Sequence, residues 1–180
     1  MAGHSHWSGI KHKKGVVDQK RGQLFSKLVN AIAIAAKTES NPNFNPRLRS
    51  AIDRAKEYKV PQDNIDRAVR RASEEKDLEE ILCEAYGPEG SAILIEAITD
   101  SKNRTIPEIK KILSDHGGKW AESGSVTWAF EKNARTDSDD RWTAKFPQPI
   151  SESAQQKLAV LIEALVDHDD TQNVYTNTQN

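Results

Sequence analysis

Near Ser73 the chain changes character in two respects at once, and this limits what it can fold into. Up to Ala72, apolar residues recur at helical spacing in runs punctuated by Pro42, Pro46 and Pro61. Beyond Ser73, short alternating runs typical of half-buried strands mix with two helical patterns. The charge changes sign at the same place. Residues 1–72 carry fifteen Lys and Arg against six Asp and Glu, a net of +9, whereas residues 73–180 carry eleven against twenty-one, a net of −10. The overall net charge of −1 is an average over two unlike parts. The expected organisation is therefore a basic helical domain over 1–72 and an acidic α+β domain over 73–180.

Three helices are expected in the basic part. From Asp18 to about Lys37, residues Leu24, Phe25, Leu28, Val29, Ile32 and Ala36 keep a helical spacing, Asp18 can cap the start, and Asn41-Pro42 lies beyond the end. Asn45-Pro46 restarts a helix with Pro at its first position, where no donor is needed; Leu48, Ala51, Ile52 and Ala55 form its core face. Pro61 opens the third, with Asp63 in its first turn, favourable to the helix dipole. There Ile65, Ala68, Val69 and Ala72 occupy one arc, and Arg67, Arg70 and Arg71 the opposite one.

Arginines on successive turns suit phosphates, because the guanidinium is a planar fork of donors. The first helix and its leader add Lys11, His12, Lys13, Lys14, Lys20, Arg21 and Lys27. The second contributes Arg47 and Arg54 on one flank, and Arg49 and Lys56 on the other. These residues with the third-helix arginines are the candidate nucleic-acid contacts. If six to ten of them touch phosphate, affinity falls by about three to five decades between low and moderate salt. The leader Met1–Gly15 sets Trp7 and basic residues among glycines, which predicts a flexible segment. Trp7 there either stacks on a base or, with Ile10, anchors the leader to the bundle.

In the acidic part, Ile81–Tyr86 and Ser91–Thr99 flank Gly87-Pro88-Glu89-Gly90, a turn joining two strands, although Leu78, Ile81 and Leu82 also fit a helix. Thr105-Ile106-Pro107-Glu108 reads as a capping box opening a helix that Gly117-Gly118 stops. Lys119–Ala121 and Val126–Phe130 are expected to form a hairpin around Glu122–Ser125. Trp142–Phe146 reads as a strand, Ser151–Asp167 as an amphipathic helix and Gln172–Tyr175 as a short closing strand. This order predicts an antiparallel-rich, ferredoxin-like sheet with both helices on one face.

The single cysteine, Cys83, excludes a disulfide framework and a cysteine-built zinc site. It reads as a buried inert thiol. A mean hydropathy of −0.73 leaves no bilayer-spanning segment, and the start lacks an apolar signal core, so a cytoplasmic location without membrane attachment is expected. There is no nucleophile elbow, phosphate-binding loop, H-E-x-x-H or G-x-G-x-x-G, so neither an enzyme nor a cofactor is expected. His116-Gly117-Gly118 reads as a helix end, and Asp167, Asp169 and Asp170 as a solvated one rather than a cation site.

Several long blocks of sequence resemble the YebC/PmpR family. They include MAGHSHW at 1–7, Ile10–Lys14, Lys20-Arg21-Gly22, Phe25–Leu28, Asn41–Arg49 and Val60–Ile65. Ala85–Gly90, Thr99–Thr105, Gly124–Trp128 and Gln172–Tyr175 continue the match, which covers nearly the whole chain. The resemblance implies a three-helix domain followed by α/β modules, and transcriptional regulation by DNA binding. The family also includes a mitochondrial translational activator of cytochrome c oxidase and bacterial members linked to relieving ribosome stalling, so the resemblance implies, as the alternative, a ribosome-associated factor binding RNA. Family members typically carry a further small domain inserted after the strand that ends here at Phe130-Glu131. Here Asn133–Asp140 leads straight to Arg141-Trp142, which implies a short form. The expected partners are nucleic acid, either DNA or ribosomal RNA, and a protein on the acidic domain.

Overall fold

A computed structural model describes residues 6–8, 18–72, 78–133 and 141–179. The chain divides into two compact units, one of residues 12–80 and 98–101, the other of residues 1–11, 81–97 and 102–180.

The first unit is built on three helices, α1 (Asp18–Ala36), α2 (Pro46–Glu57) and α3 (Gln62–Arg71). α1 packs against both others, and Leu28, Ile32, Leu48, Ala55, Val60, Ile65 and Ala68 are buried. The α1–α2 connection is held by Asn45. Its carboxamide oxygen caps α2 by accepting the Leu48 N–H at 3.0 Å, while its NH2 group donates to the carbonyls of Ala35 and Glu39 at 2.8 and 2.7 Å. α2 ends with Lys59 in the left-handed region at φ 58°; the Val60 N–H reaches the Ala55 carbonyl and the Lys59 N–H that of Lys56, the paired bonds of a Schellman cap. The last turns of α1 are covered on a second side too, where Ala33 and Ile34 pack with Leu78 and Ile98. Five consecutive residues, Ile32–Ala36, are consequently buried.

The second unit is a five-stranded sheet in the order β1-β7-β3-β2-β4, comprising β1 (His6–Ser8), β2 (Glu79–Tyr86), β3 (Ala92–Thr99), β4 (Lys119–Ala121) and β7 (Thr171–Thr176). Helices α4 (Lys102–Asp115) and α5 (Glu152–Val166) cover one face, where Ile93, Ile95 and Val174 meet Ile109, Leu113, Leu158, Leu161 and Leu165. On the other face Leu94 and Tyr175 pack with Val126, Ala129 and Phe130. Covered on both sides, β3 is an almost unbroken apolar run. β3, α4 and β4 form a split β-α-β unit with β2 between the two strands, so the expected α+β class with an antiparallel sheet is what the chain adopts. A separate ribbon, β5 (Phe130–Lys132) with β6 (Trp142–Ala144), ends where the Asn133 N–H donates to the Arg141 carbonyl at 2.9 Å.

Four local expectations are corrected or resolved. Residues 79–86 are a strand, not a helix. α4 begins at Lys102 and carries Pro107 inside it, so Thr105 opens no capping box. Its hydroxyl, fully buried, instead donates to Asp170, which Arg104 also grips at 2.8 Å; these bonds hold the turn ahead of the proline. β4 forms no hairpin with Val126–Phe130: it pairs with β2, Ala85 opposite Trp120, and the following chain makes a 3₁₀ turn at Thr127–Ala129 before β5. His6–Ser8, expected in a flexible leader, pairs antiparallel with β7, Trp7 opposite Val174.

Candidate nucleic-acid interface

The helical unit displays its cations mainly on α3 and α2. On α3, burial of Ile65 and Ala68 turns Arg67, Arg70 and Arg71 outward, all exposed, as the helical period requires. Arg70 and Arg71 lie in the last turn, where positive charge favours the helix dipole. Asp63 stands one turn before Arg67, and Asp66 accepts a 2.7 Å hydrogen bond from Gln62. On α2, Arg49 and Lys56 are exposed and Arg54 is half-buried. Arg47 forms an ion pair with Glu80, both side chains about two-fifths exposed. A phosphate must displace that carboxylate to reach it.

On α1, Lys20 and Arg21 are exposed, the Arg21 guanidinium lying 5.2 Å above the Phe25 ring. Lys27 departs from expectation. It is only 5% exposed, one helical line away from the first core face, with Ala31 and Ile34 on its own line. Burial removes it from the exposed set. Lys11, His12, Lys13 and Lys14 lie outside the described residues. The structure thus brings Arg49, Lys56, Arg67, Arg70 and Arg71 to the surface of one unit, with Lys20 and Arg21 on its first helix.

One surface feature carried no charge signal and was missed. Phe44, in the loop before α2, is 77% exposed. Its trace in the sequence is an aromatic set between Asn43 and Asn45, flanked by Pro42 and Pro46.

In the sheet unit, two acids have specific partners. Glu96 accepts from Trp142 Nε1, Asn173 Nδ2 and Tyr175 Oη at 3.0, 3.0 and 3.1 Å. Burial pushes the Asp170 carboxyl up, but the Thr105 hydroxyl and Arg104 outweigh it and hold it below the usual range. Asp170 is therefore not part of a solvated helix end. Burial drives the Cys83 thiol up to about 11, only partly opposed by the Lys110 charge. Gly117, at φ 74°, and Gly118 end α4 in a Schellman cap, the Gly118 N–H donating to the Leu113 carbonyl at 2.7 Å. Among the described residues no cluster of three His, Cys, Asp or Glu is placed to hold a metal ion, and no helix is long and apolar enough to cross a membrane.

The family model described as TACO1/YebC protein N-terminal domain matches residues 5–75, and the one described as TACO1/YebC second and third domain matches residues 78–140. A probable transcriptional regulatory protein of Desulfosudis oleivorans is 48% identical over 136 residues, 73% of this chain and 55% of that protein. One of Trichlorobacter lovleyi is 42% identical over 180 residues, 98% of this chain and 70% of that protein. The crystal structure of the conserved hypothetical protein Aq1575 from Aquifex aeolicus superposes with a TM-score of 0.82 at 31% identity, covering 96% of each chain. The chain spans little more than half the length of several of the curated relatives it matches.

Proposed function

As this chain belongs to the TACO1/YebC family, we propose that it is a regulatory protein that binds nucleic acid through its helical unit, with DNA as the target. The observation that carries this reading is the outward row of Arg67, Arg70 and Arg71 on α3, in a segment with a net charge of +9. Exposed guanidinium groups on successive turns can each meet a phosphate, and such contacts fix position on a duplex without reading its bases. Arg49, Lys56, Lys20 and Arg21 extend the charge, and Lys11, His12, Lys13 and Lys14, outside the described residues, add to it. The acidic sheet unit repels bulk polyanion and is left for contact with protein. The name shared by the relatives, probable transcriptional regulatory protein, accords with this role.

The test is a salt series of fluorescence-anisotropy titrations with a labelled DNA duplex, comparing wild type with Arg67→Ala/Arg70→Ala/Arg71→Ala. Losing three phosphate contacts should flatten the slope of log affinity against log salt by about 2.7. Equal affinity at every salt concentration would sink the proposal. Tight binding to ribosomal RNA or ribosomal subunits, with none to duplex DNA, transfers the same surface to a translation factor.

A further inference from the structure

Phe44 has the most exposed large apolar side chain among the described residues, yet the backbone beneath it is tightly held. The Asn41 N–H donates to Glu39 Oε1 at 2.7 Å, the Asn43 N–H to Asn41 Oδ1 at 3.0 Å and the Phe44 N–H to the Asn41 carbonyl at 3.0 Å. Asn45, directly after it, is 8% exposed and ties both neighbouring helices together. The loop therefore displays the ring from a fixed base. Burying a phenylalanine is favourable, and here that gain is left unclaimed.

The surroundings select the occupant. From Pro42 to Ile52 the charged residues are Arg47, whose guanidinium is paired with Glu80, and Arg49, which is exposed; the preceding acid, Glu39, accepts from the Asn41 N–H. A flat aromatic ring followed by the exposed Arg49 in the first turn of α2 complements a nucleotide, whose base offers a π-face and whose phosphate is an anion. A stacked duplex hides its base faces. We propose that Phe44 is a stacking platform for an unpaired nucleobase, so that the helical unit engages single-stranded or looped nucleic acid at this loop, with Arg49 on the adjoining phosphate. The proposal rests on the nucleic-acid reading above and adds the kind of strand recognised.

The experiment compares a labelled pyrimidine single strand, as DNA and as RNA, with a blunt duplex of the same length. The proteins are wild type, Phe44→Ala, Phe44→Leu, Phe44→Trp and the triple arginine variant. Phe44→Ala and Phe44→Leu should weaken single-strand binding by about five- to hundredfold without changing the salt slope, duplex affinity or the unfolding midpoint, and Phe44→Trp should restore it. Leucine keeps the apolar bulk but has no π-face, so rescue by leucine overturns stacking. Equal losses on single strand and duplex overturn it as well. Unchanged single-strand binding by Phe44→Ala, with the arginine variant weakened, removes the platform and leaves the nucleic-acid reading standing. If neither variant differs from wild type, both fall. The DNA and RNA arms decide which strand is preferred.

Discussion

Glu84 and Val126 lie 42 residues apart, yet the Val126 N–H donates to the Glu84 carboxylate at 2.7 Å. The Gly124 and Thr127 N–H groups add bonds of 2.6 and 3.0 Å, so one carboxylate gathers three backbone donors from the chain between β4 and β5. Gly124 reaches this arrangement at φ 87°, in the left-handed region that glycine tolerates. Burial pushes the Glu84 carboxyl up, but the Thr127 hydroxyl and these N–H groups together hold it below its ordinary range.

Replacing Glu84 by Gln should therefore destabilise the fold by about 2 kcal/mol at neutral pH, because a charged acceptor is lost and an NH2 group faces backbone donors. The folded-state pKa is the lower one. The wild type's advantage is complete above the unfolded carboxylate range and disappears as pH falls through the native value. Urea unfolding of the two proteins at several pH values measures this, and the gap between their midpoints should close in acid.

Asp170 ties Arg104 and Thr105 to the end of the chain, ahead of Pro107 in the same helix. In Asp170→Ala the first turn of α4 loses this anchor while the proline still denies it a regular hydrogen bond. Hydrogen exchange should quicken at residues 102–106 and stay slow at 108–113, the part held by Ile109 and Leu113 in the core.

The Cys83 thiol, with a pKa of about 11 and 3% exposure, should not react with a thiol-specific disulfide reagent at pH 8 in the folded protein. Labelling should follow the unfolding rate and accelerate with urea. Rapid labelling in native buffer would show that the sheet opens locally.

Lys27 and Lys56 were alike in the sequence, but one is buried and the other exposed. Lys27→Ala should lower the thermal midpoint and leave the salt dependence of nucleic-acid binding unchanged. Lys56→Ala should do the reverse, flattening the slope by about 0.9 at an unaltered midpoint. Calorimetry and a salt titration together separate the two.

The helices were legible because their signals are local. Asn45-Pro46 caps α2, the spacing Ile65, Ala68, Ala72 sets the buried side of α3, and Gly117-Gly118 ends α4. What escaped was decided by residues far away in the chain. Glu122-Ser123-Gly124-Ser125 has the composition of a hairpin turn, but Glu84 captures the Gly124 N–H within it and the Val126 and Thr127 N–H groups after it, and leads the chain elsewhere. Pro107 looks like a helix start, and Asp170 supplies the bond that lets the helix begin earlier. The charged part of the interface was readable only as a list of cations: Lys27 shares a helical line with Ala31 and Ile34, and nothing within α1 announces that Leu78 and Ile98 pack with that line. Phe44 was invisible for another reason, since periodicity detects apolar residues that point inward and is silent about one held outward.

The pairing of β1 with β7 makes the three helices α1–α3, in topological terms, an insertion within the sheet's own chain, between β1 and β2. Closing a loop of that length costs about 4 kcal/mol in chain entropy, set against a strand of three residues. The three helices are thus tethered at both ends, and the tether through the three-residue β1 is the weaker. Gentle warming should release β1 before the rest of the sheet.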